Sequence, residues 1–149
     1  MQLSLYSDYA LRVLMALAAS EKRLTIDEIA RRYGISRHHL AKVAHDLQIQ
    51  GLVKTVRGRG GGLQLGRPPQ DICIGDVVRR VERLDTFVDC FVAPDGGCAV
   101  NGVCGLKPAL AGALEAFLTH LDGYRLSDLV FDRAGFLRRL GLEAGAAVA

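Results

Sequence analysis

With 149 residues, 50% of them hydrophobic and 23% charged, the chain has material for one ordinary domain or a small domain with an appended arm, which sets disorder aside. The opening MQLSLYSDYALRVLMALAAS breaks its apolar pattern with Ser-Asp and Arg and has no basic leader, so neither a secretory signal nor a membrane span is expected. The net charge of +3 hides an asymmetry: residues 1–67 carry 11 Lys and Arg against 5 Asp and Glu, and residues 68–149 carry 8 against 11. A basic front half joined to an acidic back half suggests a polyanion-binding module with a separate control or assembly module.

From Leu3, apolar residues at Tyr6, Tyr9, Ala10, Val13, Leu14 and Leu17 fall at helical spacing and predict a helix over 3–19. Thr25 and Glu28 have capping-box spacing, and Ile26, Ile29 and Ala30 give the next helix its inward face before Gly34 stops it. Ser36 is then expected to cap a third helix, with Leu40, Val43, Ala44 and Leu47 inside and an end near Gly51. Two short helices across a tight turn with Gly predict a helix-turn-helix. LVKTVRGRGGGLQLGRP reads as strand, glycine turn and strand closed by proline, a basic wing. A helix is predicted over 74–84, then a cysteine loop containing Gly96, Gly97, Asn101 and Gly102. Leu106, Leu110, Ala113, Leu114, Phe117, Leu118 and Leu121 form a helical stripe, with Pro108 in its first turn, which reads as a dimer seam, with packing on its own domain as the alternative. LSDLV and FLRRL predict short helices before a loose tail.

The expected architecture is therefore mainly α with a small β-hairpin. A winged helix-turn-helix DNA-binding domain occupies 1–68, the cysteine loop and a long dimerisation helix 69–130, and a C-terminal helix and tail 131–149.

The second helix of such a motif enters the major groove by its N-terminal residues, which here are Ser36, Arg37, His38 and His39, with Lys42 one turn on. Arg can read guanine through two hydrogen bonds, and Ser and neutral His can donate or accept. Adjacent helical residues point apart, so His38 and His39 cannot both face one metal. Arg57 and Arg59 on the wing suit a narrow AT-rich minor groove, and Arg31 and Arg32 suit phosphates.

Cys90, Cys98 and Cys104 stand at spacings of seven and five intervening residues. That is not the close cysteine pair of most zinc sites, and no His lies nearby. Wide spacing on a glycine-rich loop suits an iron–sulphur cluster with one iron lacking a cysteine ligand, of 4Fe–4S or 2Fe–2S type. Zinc and a thiol–disulfide switch are the competing readings. Cys73, between isoleucines, reads as a core thiol. No nucleophile–base set, phosphate loop or acid pair points to an enzyme. With neither a secretory signal nor a membrane span read from the opening stretch, a cytoplasmic location is expected, where thiols stay reduced.

The N-terminal MQLSLYSDYALRVLMALA, the wing TVRGRGGGLQLGRP, IGDVVRRVE, the three-cysteine loop and LDGYRLSDLV together resemble the NsrR-like branch of the bacterial winged-helix repressors, a superfamily that also contains IscR and RirA. The likeness runs from residue 1 to about 130 without a large gap. It implies a homodimer with a cluster near the dimer interface, binding AT-rich partial palindromes in double-stranded promoter DNA. It further implies a 4Fe–4S form that binds DNA and is destroyed by nitric oxide. The position three residues after Cys104, His in IscR-like members, is Lys107 here. By the same resemblance Asp8 matches the Asp that can supply the fourth ligand, to the cluster of the partner subunit, with a helix-start charge at the positive dipole end as its plainer reading. RirA-like iron sensors tend to lack that Asp but share the seven-residue gap between the first two cysteines, which is shorter in most NsrR-like loops. An iron-responsive repressor, or a redox- or zinc-controlled regulator of the same fold, is the alternative.

Overall fold

A computed structural model describes residues 2–92 and 98–142 of the chain. Gly96, Gly97 and the tail from Glu143 lie outside the described residues.

Helix α1 (Leu5–Ala19) starts where the Ser4 hydroxyl accepts the Ser7 N–H, two residues later than the apolar spacing alone suggests. Its Ala10, Val13, Leu14, Ala16 and Ala19 are sealed from solvent because other elements surround it. Helices α3, α4, α7 and α8 and the wing all pack on it. Small alanines let these neighbours approach, and the result is one continuous core through the described chain.

Helix α2 (Ile26–Tyr33) carries the expected capping box: Glu28 N–H donates to the Thr25 hydroxyl at 3.2 Å, and Thr25 N–H to the Glu28 carboxylate at 2.7 Å. Gly34 ends it in the left-handed conformation, φ 65°, which a side chain would strain. Helix α3 (Arg37–Ile49) buries Leu40, Val43, Ala44 and Leu47 against α1 and α2. Strands β1 (Val53–Val56) and β2 (Gly62–Leu65) pair antiparallel, Val53 opposite Leu65 and Val56 opposite Gly62. Leu24 adds a third rung, exchanging 3.1 and 2.7 Å hydrogen bonds with Leu63.

Helix α4 (Ile74–Val81) is shorter than predicted, because the chain turns extended at Glu82 and forms a separate 3-10 turn over Leu84–Thr86. A four-residue helix α5 (Asp89–Val92) occupies the start of the segment read as loop. Helix α6 (Leu106–Asp122) lies on α4, and α7 (Leu126–Leu129) and α8 (Arg133–Leu140) return to α1. Arg79 joins α4 to the end of α6 through a two-pronged pair with Asp122, at 2.5 and 2.8 Å. The helices approach so closely there that a Cβ on Gly75 would sit 1.9 Å from Asp122 Oδ1. Arg133 covers the end of α1 by donating to Ala19 O at 3.2 and 3.3 Å.

The α6 stripe divides between two environments. Leu118 is buried and Leu114, Phe117 and Leu121 pack against the chain's own core, whereas Leu106 and Ala113 are exposed. Leu106, Ala109, Gly112, Ala113 and Ala116 form a small-residue strip on the solvent side of α6, flanked by exposed Glu115, Thr119 and His120. Among the described residues no helix is long and apolar enough to cross a membrane.

Candidate nucleic-acid interface and thiol site

Buried Leu40, Val43 and Leu47 fix the rotation of α3, so the helix turns Ser36, Arg37, His38, His39 and Lys42 to solvent together. Ser36 stands at the N-cap position but makes no side-chain capping bond, contrary to its expected role. Arg37 Nε donates to Asp27 Oδ1 at 2.6 Å, a pair open enough to water for phosphate or base to compete for the guanidinium. The rings of His38 and His39 stand 6.0 Å apart and are tilted by 56°.

Arg57 and Arg59 project from the exposed wing tip, whose turn is closed by Gly61 N–H donating to Gly58 O at 2.9 Å. Gly61 tolerates no substituent, since a Cβ would lie 2.4 Å from Val56 O. Sequence reading passed over Arg23, whose Nε donates to Gln64 Oε1 at 3.1 Å and Nη1 to Gly60 O at 3.3 Å, bracing the wing from below. Arg31 is exposed on α2. Arg32 is exposed as well, and its guanidinium reaches the end of α8, where a Cβ on Gly141 would come within 2.7 Å of its Nη1.

The second group of side chains is the thiol segment. All four cysteines are free. Cys90 rides on α5, Cys98 begins a turn closed by Asn101 N–H on Cys98 O at 3.0 Å, and Cys104 stands just before α6. The Lys107 N–H and then the Leu106 N–H donate to the Cys104 sulphur, and together they hold its pKa below the ordinary thiol value. A helix N-terminus thus favours the thiolate, the form that binds metal. Around the thiols Val92, Val100, Val103 and Leu106 are exposed, Val103 by 86%.

Among the described residues Cys90, Cys98 and Cys104 do not have their sulphurs all within 4.8 Å of one another, as ligands of a single metal ion would, and Asp8 belongs to no such group. Among the described residues the metal-capable side chains that do converge, within 4.8 Å of one another, are Cys73, Asp76 and Asp122. There Asp122 already holds Arg79, whose hydrogen bonds keep the carboxyl below the usual carboxylate range. Cys73 is half-buried at the start of α4, its sulphur 3.7 Å from Asp122 O, rather than a core thiol. Asp8 faces partly outward from the first turns of α1, and Arg12 Nε donates to it at 2.8 Å. The Arg12 guanidinium stands 5.4 Å over the Tyr33 ring. Burial, with Arg12 opposing and Asp8 adding to it, pushes the Tyr33 pKa up to about 12.

A helix-turn-helix, a glycine-tipped basic wing and an exposed row of Arg, His and Lys define a winged-helix DNA-binding transcriptional regulator. Comparison with known proteins narrows the class. The chain belongs to the Rrf2 family, described as iron-dependent transcriptional regulators, whose family model matches residues 3–132. It is 47% identical over 136 residues to the HTH-type transcriptional regulator NsrR of Geobacillus kaustophilus, covering 90% of this chain and 92% of that one. It is 46% identical over 145 residues to the NsrR of Bacillus subtilis, covering 96% and 99%. Among solved structures, T. potens IscR superposes with a TM-score of 0.71 at 28% identity, covering 89% of this chain and 88% of that one.

Proposed function

We propose that the protein is a cytoplasmic, homodimeric repressor whose affinity for AT-rich, partly palindromic promoter DNA is set by an iron–sulphur cluster that senses nitric oxide. The observation that carries this reading is the trio of free thiols on an exposed segment of a chain that is 43–47% identical to regulators named NsrR.

The donor set fits such a group. Soft thiolate ligands favour iron–sulphur clusters, and the backbone donors at Cys104 already stabilise one of them as the anion. Cys90, Cys98 and Cys104 would hold it, of 4Fe–4S type, with Asp8 of the partner subunit as the fourth ligand. When bound, such a cluster supplies iron that reacts with nitric oxide. Asp8 is free to take that part because its ion pair with Arg12 is half exposed and worth only about 0–1 kcal/mol. The exposed apolar residues Val92, Val100, Val103 and Leu106 would be covered by the second subunit, and the small-residue face of α6 would form the two-fold seam.

On DNA, Ser36, Arg37, His38, His39 and Lys42 would read the major groove and Arg57 and Arg59 the minor groove. Arg31, with Arg32 beside it, would neutralise phosphates. Two subunits joined through α6 fix the distance between recognition helices, so anything that reorders the thiol segment beside α6 changes the fit to two half-sites.

A second reading has a specific observation behind it: the seven residues between Cys90 and Cys98 match iron-responsive relatives of the RirA type better. One experiment separates the two. Protein purified without oxygen is titrated with nitric oxide while absorbance and operator binding are followed. Bleaching with loss of operator binding is the expected result. Indifference to nitric oxide with release on iron chelation would replace nitric oxide by iron as the signal. Colourless protein that binds zinc, or switches by forming a disulfide, would reject the cluster.

A further inference from the structure

We propose that Glu82 is the positioning residue that couples the thiol segment to the recognition helix, by clasping the first turn of α1 while Tyr6 of that same turn clasps α3. The inference rests on the functional reading above and adds the route by which the thiols act on DNA binding.

The clasp has two halves. Glu82 follows α4 directly and begins the linker that reaches Cys90. Its carboxylate accepts the Ser4 N–H at 2.9 Å and the Ser4 hydroxyl at 3.0 Å, with the Ser7 hydroxyl as a further donor. Burial alone would push its pKa up, but these hydrogen bonds, from Ser7 and Ser4, outweigh it and hold the carboxyl below its ordinary value. The side chain therefore sits as an anion on the N-terminal donors of α1, where the helix dipole favours negative charge. Ser7 is fully buried, although burying a hydroxyl has a cost unless it finds partners.

The other half faces the DNA-binding side. One residue before Ser7, Tyr6 O–H donates to Asp46 Oδ2 at 2.5 Å, across to the later part of α3. Burial first, then the hydrogen bond and charge of Asp46, push the Tyr6 hydroxyl well above its ordinary pKa. The first turn of α1 is thus tied by side chains to α3 on one side and to the start of the cysteine linker on the other. Asp8 lies in that same turn.

There is room for the linker to move. A cavity of about 360 Å³ lies beside the clasp, lined by Leu3, Leu84, Phe87, Leu114 and Phe117. Its walls come from the N-terminal arm, the linker and α6, so the linker can shift there without opening the core around α1. A rearranged thiol segment then pulls on Glu82, Glu82 tilts or releases the first turn of α1, and Tyr6 passes the change to α3.

The test compares operator affinity with and without the cluster, at one fixed salt concentration, for wild type, Glu82→Ala, Glu82→Gln, Tyr6→Phe and the Glu82→Ala/Tyr6→Phe pair. Cluster absorbance reports loading. Glu82→Ala should keep its colour but lose about fivefold or more of the loaded-to-free affinity ratio, within the usual range of coupling between sites. Tyr6→Phe should do the same, and the pair should lose no more than either alone, because both cut one route. Glu82→Gln, which keeps an acceptor oxygen, should recover part of the ratio. If Glu82→Ala fails to fold, Tyr6→Phe decides alone. Variants that retain the full wild-type ratio overturn the inference. If the wild type itself shows no cluster-dependent ratio, the functional reading fails instead. The clasp is then judged by amide exchange at Ser4: faster exchange in Glu82→Ala supports it, and unchanged exchange rejects it.

Discussion

Between residues 25 and 65 the chain seals Ile29, Leu40, Val43, Leu47 and Val53 almost completely, while between residues 89 and 106 it leaves Val92, Val100, Val103 and Leu106 in solvent. The first region draws its order from its own core. The second has side chains of the same type that the described residues leave exposed, so a partner surface or a group held by the thiols would have to cover them. That difference divides the labour of the molecule. On the proposed reading, a well-packed reader of DNA is coupled to a segment whose thiols and exposed apolar residues are open to an outside signal.

Substitutions in the two regions should differ sharply, and the largest effect belongs to the reader. Leu40→Ala removes a fully buried side chain from α3 and should cost about 2–5 kcal/mol in denaturant unfolding. Gly75→Ala, at the α4–α6 contact, forces Asp122 and Arg79 apart. Overpacking of that kind should cost about 1–3 kcal/mol.

The half-buried Tyr33 of the reader gives a pH test. Folding raises the Tyr33 pKa from 10.0 to about 12, so the folded state holds this proton more tightly than the unfolded chain. The resulting stability is present below pH 10 and drains away as pH rises towards 12. Tyr33→Phe should therefore flatten the alkaline limb of the stability–pH curve without moving its acid limb. The smallest effect should come from the thiol segment. Cys98→Ser in cluster-free protein should change unfolding by no more than about 0.5 kcal/mol, since the side chain is exposed. A large loss there would show that the segment is stabilised by its own contacts and would break the comparison.

The reader was legible in the sequence because its signals are local. Helical periodicity, the Thr25–Glu28 capping box and Gly34 all act within a few residues, and the structure contains each of them. Leu24 as a third rung of the wing was not legible, since one residue of pairing leaves no periodic trace. Ser36 had the right position for a cap, but composition cannot say whether a hydroxyl turns inward or outward. The stripe on α6 shows a different limit. Apolar spacing marks Leu106 and Leu118 alike, yet one faces solvent and the other the chain's own core, and only tertiary packing distinguishes them. Glu82 and Arg23 escaped notice for a third reason: their partners lie 78 and 41 residues away. The cysteines were conspicuous by type and spacing, but where their sulphurs meet depends on the group they would hold.

The most direct test measures the affinity of oxygen-free, cluster-loaded protein for its operator against that of the same protein stripped of the cluster, at equal salt. The loaded form should bind at least about tenfold more tightly, a difference of about 1.4 kcal/mol, within the usual range of allosteric coupling. Equal affinity of the two forms would contradict it.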